Sequence, residues 1–260
     1  MNEFLNWSRN EHAAKPATTR RYETSSKAMI EYFADSPLDC ISPDDVEKFK
    51  QWRSKQKKQA PNKKLNKNKK AASKAVIKPA TVNRELACLK IVFNHFIKQD
   101  VIAKNPVSRV KFLQENNENF VVLSASDEKV YLLACSQPLQ DVAALMLDCG
   151  CRPDEIYRLR KSNVNLDGGF LTVQDGKTRS ARRRIPMTAR AKAILETRID
   201  NAKGEYLFAG GRNCNDVKNP IVKLNNAHAG ALKRTGLNKF RIYDLRHTLL
   251  QEWQWQASTL

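Results

Sequence analysis

Arg152, Lys177, Tyr243 and Arg246 stand in three short stretches that could do phosphate chemistry together. The stretches are Cys149-Gly150-Cys151-Arg152-Pro153-Asp154-Glu155, Asp175-Gly176-Lys177-Thr178 and Arg241-Ile242-Tyr243-Asp244-Leu245-Arg246-His247-Thr248. Cleaving a phosphodiester without metal needs cations against the non-bridging oxygens, an acid for the leaving oxygen, and a nucleophile in line with it. Such a site collects Arg, Lys and His from distant parts of a chain. Each stretch alone also has a plain structural reading. Arg152 to Glu155 reads as a helix cap with a surface ion pair, and Lys177 sits where hairpin turns attract Gly and Lys anyway. A lysine on a hairpin, desolvated beside other cations, can nevertheless serve as general acid. The phenol of Tyr243 can donate to a phosphate oxygen but is a poor base near neutral pH.

The charge balance favours a polyanionic partner. Lys and Arg total 46 against 27 Asp and Glu, a net charge of +19, so the field of the whole molecule attracts nucleic acid. A merely soluble cationic protein is the bland alternative. An anionic membrane surface fits less well, because no long apolar run or basic amphipathic helix stands out. Met1 to Arg9 carries no apolar signal core, which implies a cytoplasmic protein. The six cysteines, Cys40, Cys88, Cys135, Cys149, Cys151 and Cys214, lack metal-ligand spacing and read as buried thiols; no metal site is expected.

The elements that must position these residues fall into two groups. Tyr22, Met29, Ile30 and Phe33 lie at roughly helical spacing after two Thr that could cap. Ser42-Pro43-Asp44-Asp45 opens a second helix carrying Val46, Phe49 and Trp52, and Val82, Leu86, Leu89, Phe93 and Phe96 mark a third. Between the second and third, Arg53 to Lys78 holds eleven cations, among them Lys63, Lys64, Lys67, Lys69, Lys70 and Lys74, and no acid. A run of this kind within a basic helical domain is expected to lie along phosphates, where each contact releases counterions. Asn105-Pro106-Val107 ends the helical run and a polar linker follows. Residues 1–107 therefore read as a helical domain, 108–123 as linker and 124–260 as an α+β domain. In the latter, helices at Val130 to Cys135, Leu139 to Cys149 and Asp154 to Lys161 precede a hairpin of Phe170 to Val173 and Arg184 to Met187. Helices resume at Ala189 to Ile199 and Ile221 to Thr235. Arg179, Arg182, Arg183 and Arg184 make the hairpin basic and read as grips on a DNA backbone.

Together these boxes resemble the active site of the tyrosine recombinases, the phage-integrase family. Asp244-Leu245-Arg246-His247-Thr248 matches the family's second Arg box residue for residue. Gly150-x-Arg152 with Glu155 resembles the first, and Thr81-Val82-Asn83-Arg84-Glu85-Leu86 with Asn105-Pro106-Val107 resembles its core-binding domain. The resemblance implies a mainly α core-binding domain, with Arg84 among its DNA contacts, and an α+β catalytic domain with a small β-hairpin or sheet. It makes Arg152 and Arg246 phosphate ligands, Lys177 the acid on the leaving oxygen, and Glu155 the group that holds Arg152 or its helix start. Tyr243 replaces the family's usual His, which puts proton transfer in doubt rather than binding. His247 is read as a structural histidine supporting the Arg loop.

The family's nucleophilic Tyr lies several tens of residues beyond the second Arg box, so no nucleophile is assigned and the catalytic domain reads as incomplete. Tyr243 would flank the phosphate, not approach it in line. Read one base earlier, Trp253-Gln254-Trp255-Gln256 becomes Met or Val, Ala, Met or Val, Ala, close to what the family places after Arg-His-Thr. A frameshift after Thr248, leaving Leu249 to Leu260 as a poorly packed replacement, is the expectation. The resemblance thus implies site-specific recombination through a 3′-phosphotyrosine without metal or nucleotide cofactor. This chain is expected to bind double-stranded DNA, alone or with other recombinase protomers, in a cytoplasmic, nucleoid-associated setting, and not to cut it. A non-catalytic DNA-binding regulator is the alternative.

Overall fold

The computed structural model describes residues 1–57, 76–116, 120–174, 182–211 and 216–258, with backbone alone from 252 onward. Lys63, Lys64, Lys67, Lys69, Lys70, Lys74, Lys177, Arg179 and Cys214 lie outside the described residues. The chain divides into two compact units, 1–117 and 118–260.

The first unit is helical: α1 (Asn2–Glu11), α2 (Pro16–Phe33), α3 (Pro43–Lys55) and α4 (Pro79–Ile97). Helix α3 starts where Ser42 accepts from the Asp45 amide and Asp45 accepts from the Ser42 amide, with Pro43 in the first turn. Helix α4 buries Val82, Leu86, Leu89, Phe93 and Phe96, spaced alternately four and three apart, against Met29, Val46 and Phe49. Three sequence expectations change here. Met1 to Arg9, read only as polar, begins helix α1, which buries Phe4, Leu5 and Ser8. The paired Thr do not cap α2, which starts at Pro16; Thr19 instead donates to the Ser8 carbonyl at 3.1 Å and ties α2 to α1. Cys40 is exposed, not buried, because it ends a single turn of 3-10 helix at the surface.

Two side-chain links shape this unit's edges. The Arg53 guanidinium forks onto both Glu85 oxygens at 2.8 Å, and beside it Lys57 pairs with Val76 while the Ile77 amide donates to the Gln56 carbonyl at 3.0 Å. Asn83 on α4 donates to the Leu113 carbonyl and accepts from the Leu113 amide, both at 2.8 Å, while Lys50 donates to the Lys111 carbonyl. Residues 111–113 are thereby stapled along the unit by side chains instead of a strand partner.

The second unit is α+β. Helices α5 (Ala125–Ala134), α6 (Leu139–Cys149) and α7 (Pro153–Tyr157) precede strands β1 (Val164–Asn165), β2 (Phe170–Val173) and β3 (Arg183–Pro186). These form an antiparallel sheet in the order β1-β2-β3, with Leu171 opposite Ile185 and Val173 opposite Arg183. Helix α8 (Ala189–Asn201), a second small hairpin of β4 (Ala209–Gly210) and β5 (Asp216–Pro220), and helices α9 (Asn225–Thr235) and α10 (Asp244–Ser258) complete it. Helix α6 is the centre: Leu139, Val142, Leu145 and Met146 are buried among Tyr131, Leu171, Ile185, Leu195, Phe208 and Leu245. Helix α9 begins at Asn225, later than its apolar pattern suggests, and the Ile221 amide instead donates to the Phe208 carbonyl at 2.9 Å, beside the β4–β5 hairpin. The stretch from Leu249, expected to be poorly packed, continues α10 to Ser258; Leu249 is buried and Leu250 exposed, and the packing of residues 252–260 lies outside what the structure describes.

Candidate active site

Helix α6 stops at Gly150, whose φ of +60° is the left-handed cap that glycine adopts without strain. A Cβ there would also lie 3.1 Å from the Leu249 side chain. The turn buries Cys151 and brings Arg152 out as the N-cap of α7. Glu155, on the first turn of α7, is almost fully buried and is the electrostatic hub of the site. It accepts from the Arg152 amide at 2.8 Å, from Arg152 Nη1 at 2.8 Å, and from Arg183 Nη1 and Nη2 at 3.1 and 2.8 Å. Burial alone would raise the Glu155 carboxyl. The donors from Arg183 and Arg152 outweigh it and hold the group down at about 2. Arg152, paired with Glu155 and near the Tyr243 phenol, is held more firmly charged than usual.

The second Arg box forms the entry and first turns of α10. Asp244, buried, accepts from the Arg241 amide at 2.9 Å and pairs with the Arg241 guanidinium at 2.8 Å. Thr248, also buried, accepts from the Leu123 amide at 3.1 Å and donates to the Asp244 carbonyl, locking the helix start to the segment before α5. His247 lies between the Phe120 ring, stacked at 5.1 Å, and the Tyr243 ring at 5.3 Å. Arg246 is half-buried, and its Nη1 is buried without a hydrogen-bond partner among the described residues. The Cys151 thiol is pushed up to about 12, chiefly by burial and further by Cys149 and Glu155. Arg183 and Arg246 oppose that rise.

The fold thus brings Arg152, Glu155, Arg183, Tyr243, Arg246 and His247 into one neighbourhood. Val173 pairs with Arg183, which is bonded to Glu155, while Lys177 lies outside the described residues. Arg182 is exposed just before β3, and Arg84 is exposed on α4 in the first unit. Arg20 and Arg21, which drew no attention in the sequence, line a surface groove with Arg84. Phe120 carries no sign in the sequence, since a phenylalanine near the end of the linker does not announce that it stacks on a histidine 127 positions on. Among the described residues no group of three or more His, Cys, Asp or Glu could hold a metal, and no helix is long and apolar enough to cross a membrane. The arrangement can hold an anion between two arginines, one of which has a buried donor ready to be used.

The fold and this cluster define a phage-integrase type of protein. The family model described as the phage integrase family matches residues 112–253, and the phage integrase SAM-like domain matches 1–112. The chain belongs to the phage integrase family. The integrase of Salmonella phage P22 is 26% identical over 156 residues, covering 57% of this chain but 40% of that protein. This chain therefore spans less than half of that relative's length in the alignment. Two solved structures share the fold. One is a lambda integrase dimer bound to a COC′ core site, with TM-score 0.70 and 19% identity, covering 98% of this chain and 90% of that one. The other is the Tn1549 transposon integrase in complex with transposon right end DNA, with TM-score 0.69 and 18% identity, covering 94% and 83%.

Proposed function

We propose that this chain binds double-stranded DNA as a tyrosine-recombinase-type integrase, with one backbone phosphate seated between Arg152 and Arg246. The observation that carries the reading is the buried Nη1 of Arg246, without a hydrogen-bond partner among the described residues, in the neighbourhood of Cys151 and the half-exposed Arg152. An unsatisfied buried donor on a charged group costs about 1–3 kcal/mol or more, and a phosphate oxygen relieves it. Lys177 supplies the acid at the leaving oxygen, and Tyr243 donates to the same phosphate. Arg84, Arg182, Arg179, Lys63, Lys64, Lys67, Lys69, Lys70 and Lys74 contact the backbone on either side. The reading takes residues 1–107 as the DNA-gripping domain, 108–123 as the tether and 124–260 as the site-bearing domain. Other protomers are partners, by analogy with the lambda integrase dimer on its core site. The working place is the nucleoid in the cytoplasm, and no metal or nucleotide cofactor takes part.

The last tyrosine of the 260 residues is Tyr243, which flanks the phosphate, so these residues alone bind and do not cut. The test is a salt titration of affinity for a duplex. With about six phosphate contacts or more, affinity falls about 10³-fold between 50 and 200 mM salt. A flat titration refutes the reading. On a nicked suicide substrate the 260 residues form no covalent adduct; an adduct that Tyr243→Phe abolishes would make Tyr243 the nucleophile. The regular helix of α10 to Ser258, with Leu249 packed inside, favours a second reading, a regulator that occupies sites without cutting. Adduct formation on mixing with a nucleophile-bearing integrase would decide against it.

A further inference from the structure

Arg183 reads from sequence as one more grip on DNA, yet its place in the strand gives it another task. Side chains alternate along β3: Arg183 and Ile185 turn inward, whereas Arg184 turns outward and lies 4.9 Å over the Phe170 ring. The Arg183 guanidinium then meets both Glu155 oxygens as a planar fork on a planar carboxylate. The same carboxylate takes only one guanidinium nitrogen of Arg152, Nη1, together with the Arg152 amide. One nearly buried anion therefore serves two arginines of unequal exposure, 28% for the Arg183 side chain and 45% for Arg152. Both terminal nitrogens of Arg183, the less exposed of the two arginines, are thus committed to that carboxylate, against one of Arg152.

Resting on the DNA-binding reading above, we propose that Arg183 is a positioning residue that acts on DNA only through Arg152. By occupying Glu155 it limits Arg152 to a single side-chain bond with that carboxylate and leaves the rest of the Arg152 guanidinium, which also meets the Tyr243 phenol, for the phosphate. Without Arg183, the whole carboxylate turns to Arg152, forks onto it, and withdraws the arginine and its charge from the site.

A double-mutant cycle on the 260-residue chain tests this, with affinity for a fluorescent duplex measured across a salt series. Arg152→Ala is expected to weaken binding about tenfold and to lower the salt slope by about one contact. Arg183→Ala is expected to do the same, although the residue touches no DNA. The double variant should bind within about twofold of Arg152→Ala, with an unchanged slope, since coupled residues are not additive. Arg183→Lys, which offers Glu155 a point charge, should recover part of the loss, and a merely structural defect would not follow that order. If Arg183→Ala does not fold, as judged by its circular dichroism, Arg183→Gln takes its place in the cycle. Losses that add in the double variant, or an Arg183 variant that binds like wild type while Arg152→Ala does not, overturn the proposal and leave the DNA-binding reading standing. A wild-type chain without salt-dependent affinity overturns both.

Discussion

Replacing Glu155 by Gln removes one negative charge and keeps the shape, so its effect isolates the electrostatic hub. The wild-type carboxyl titrates near 2 in the folded chain against an ordinary 4.5, because the bonds from Arg183 and Arg152 more than offset its burial. At about 1.36 kcal/mol for each factor of ten in proton affinity, that difference is worth about 3 kcal/mol, and solvent at the Arg152 side trims it to about 2–3. The sign follows from the direction. A group whose folded affinity for protons is depressed contributes stability above its unfolded titration range, and loses it as pH falls. The wild-type advantage over Glu155→Gln should therefore be full at pH 7, begin to shrink below about pH 5, and be largely gone near pH 2. Native-state hydrogen exchange at the buried amides of Met146 and Leu171 reads the stability of this unit by itself. A variant within 0.5 kcal/mol of wild type at pH 7, on the order of the error in such measurements, would refute the reasoning. So would a gap that stays constant down to pH 3.

Tyr131→Phe removes the hydroxyl that meets buried His228 Nδ1 at 2.6 Å and should destabilise the second unit by about 1–2 kcal/mol in the same exchange experiment; no change would show the pair to be neutral. In alkylation at pH 8 followed by mass spectrometry, Cys40 should react readily. Cys88, Cys149 and Cys151 should resist, since burial holds each thiol up at about 12, and rapid labelling of any of the three in the folded chain would contradict their packing. Asn83→Ala frees the stapled segment and should speed tryptic cleavage after Lys111 severalfold with circular dichroism unchanged; equal rates would remove the staple.

Features that are local in sequence were legible in it. The four-and-three spacing of Val82, Leu86, Leu89 and Phe93 is complete within one helix, and the cap at Ser42 within four residues. The hairpin followed from the alternation in Phe170 to Val173, where Leu171 and Val173 face inward. What escaped depended on partners far along the chain. Helix α1 is held by Phe4 and Leu5 against residues some tens of positions later, and nothing in a mostly polar decapeptide announces that. The boxes around Arg152 and Arg246 were legible through family resemblance, which supplies roles but not partners. That Arg183 faces Glu155 could have been inferred from its even spacing to Ile185, a core residue of the same strand. The short β4 and β5 carry Gly, Asn and Pro, whose preference for turns hid a strand pair.

The pairing at Lys57 and Val76, backed by the Arg53–Glu85 fork, has a bearing on how this family member can change over generations. With both ends of the intervening stretch fastened to α3 and α4, its length is uncoupled from the helical core. Lengthening a tethered loop is cheap: doubling it costs only about 0.6 kcal/mol in closure entropy. A change in the number of residues between Lys57 and Val76 should therefore cost the helical unit little stability.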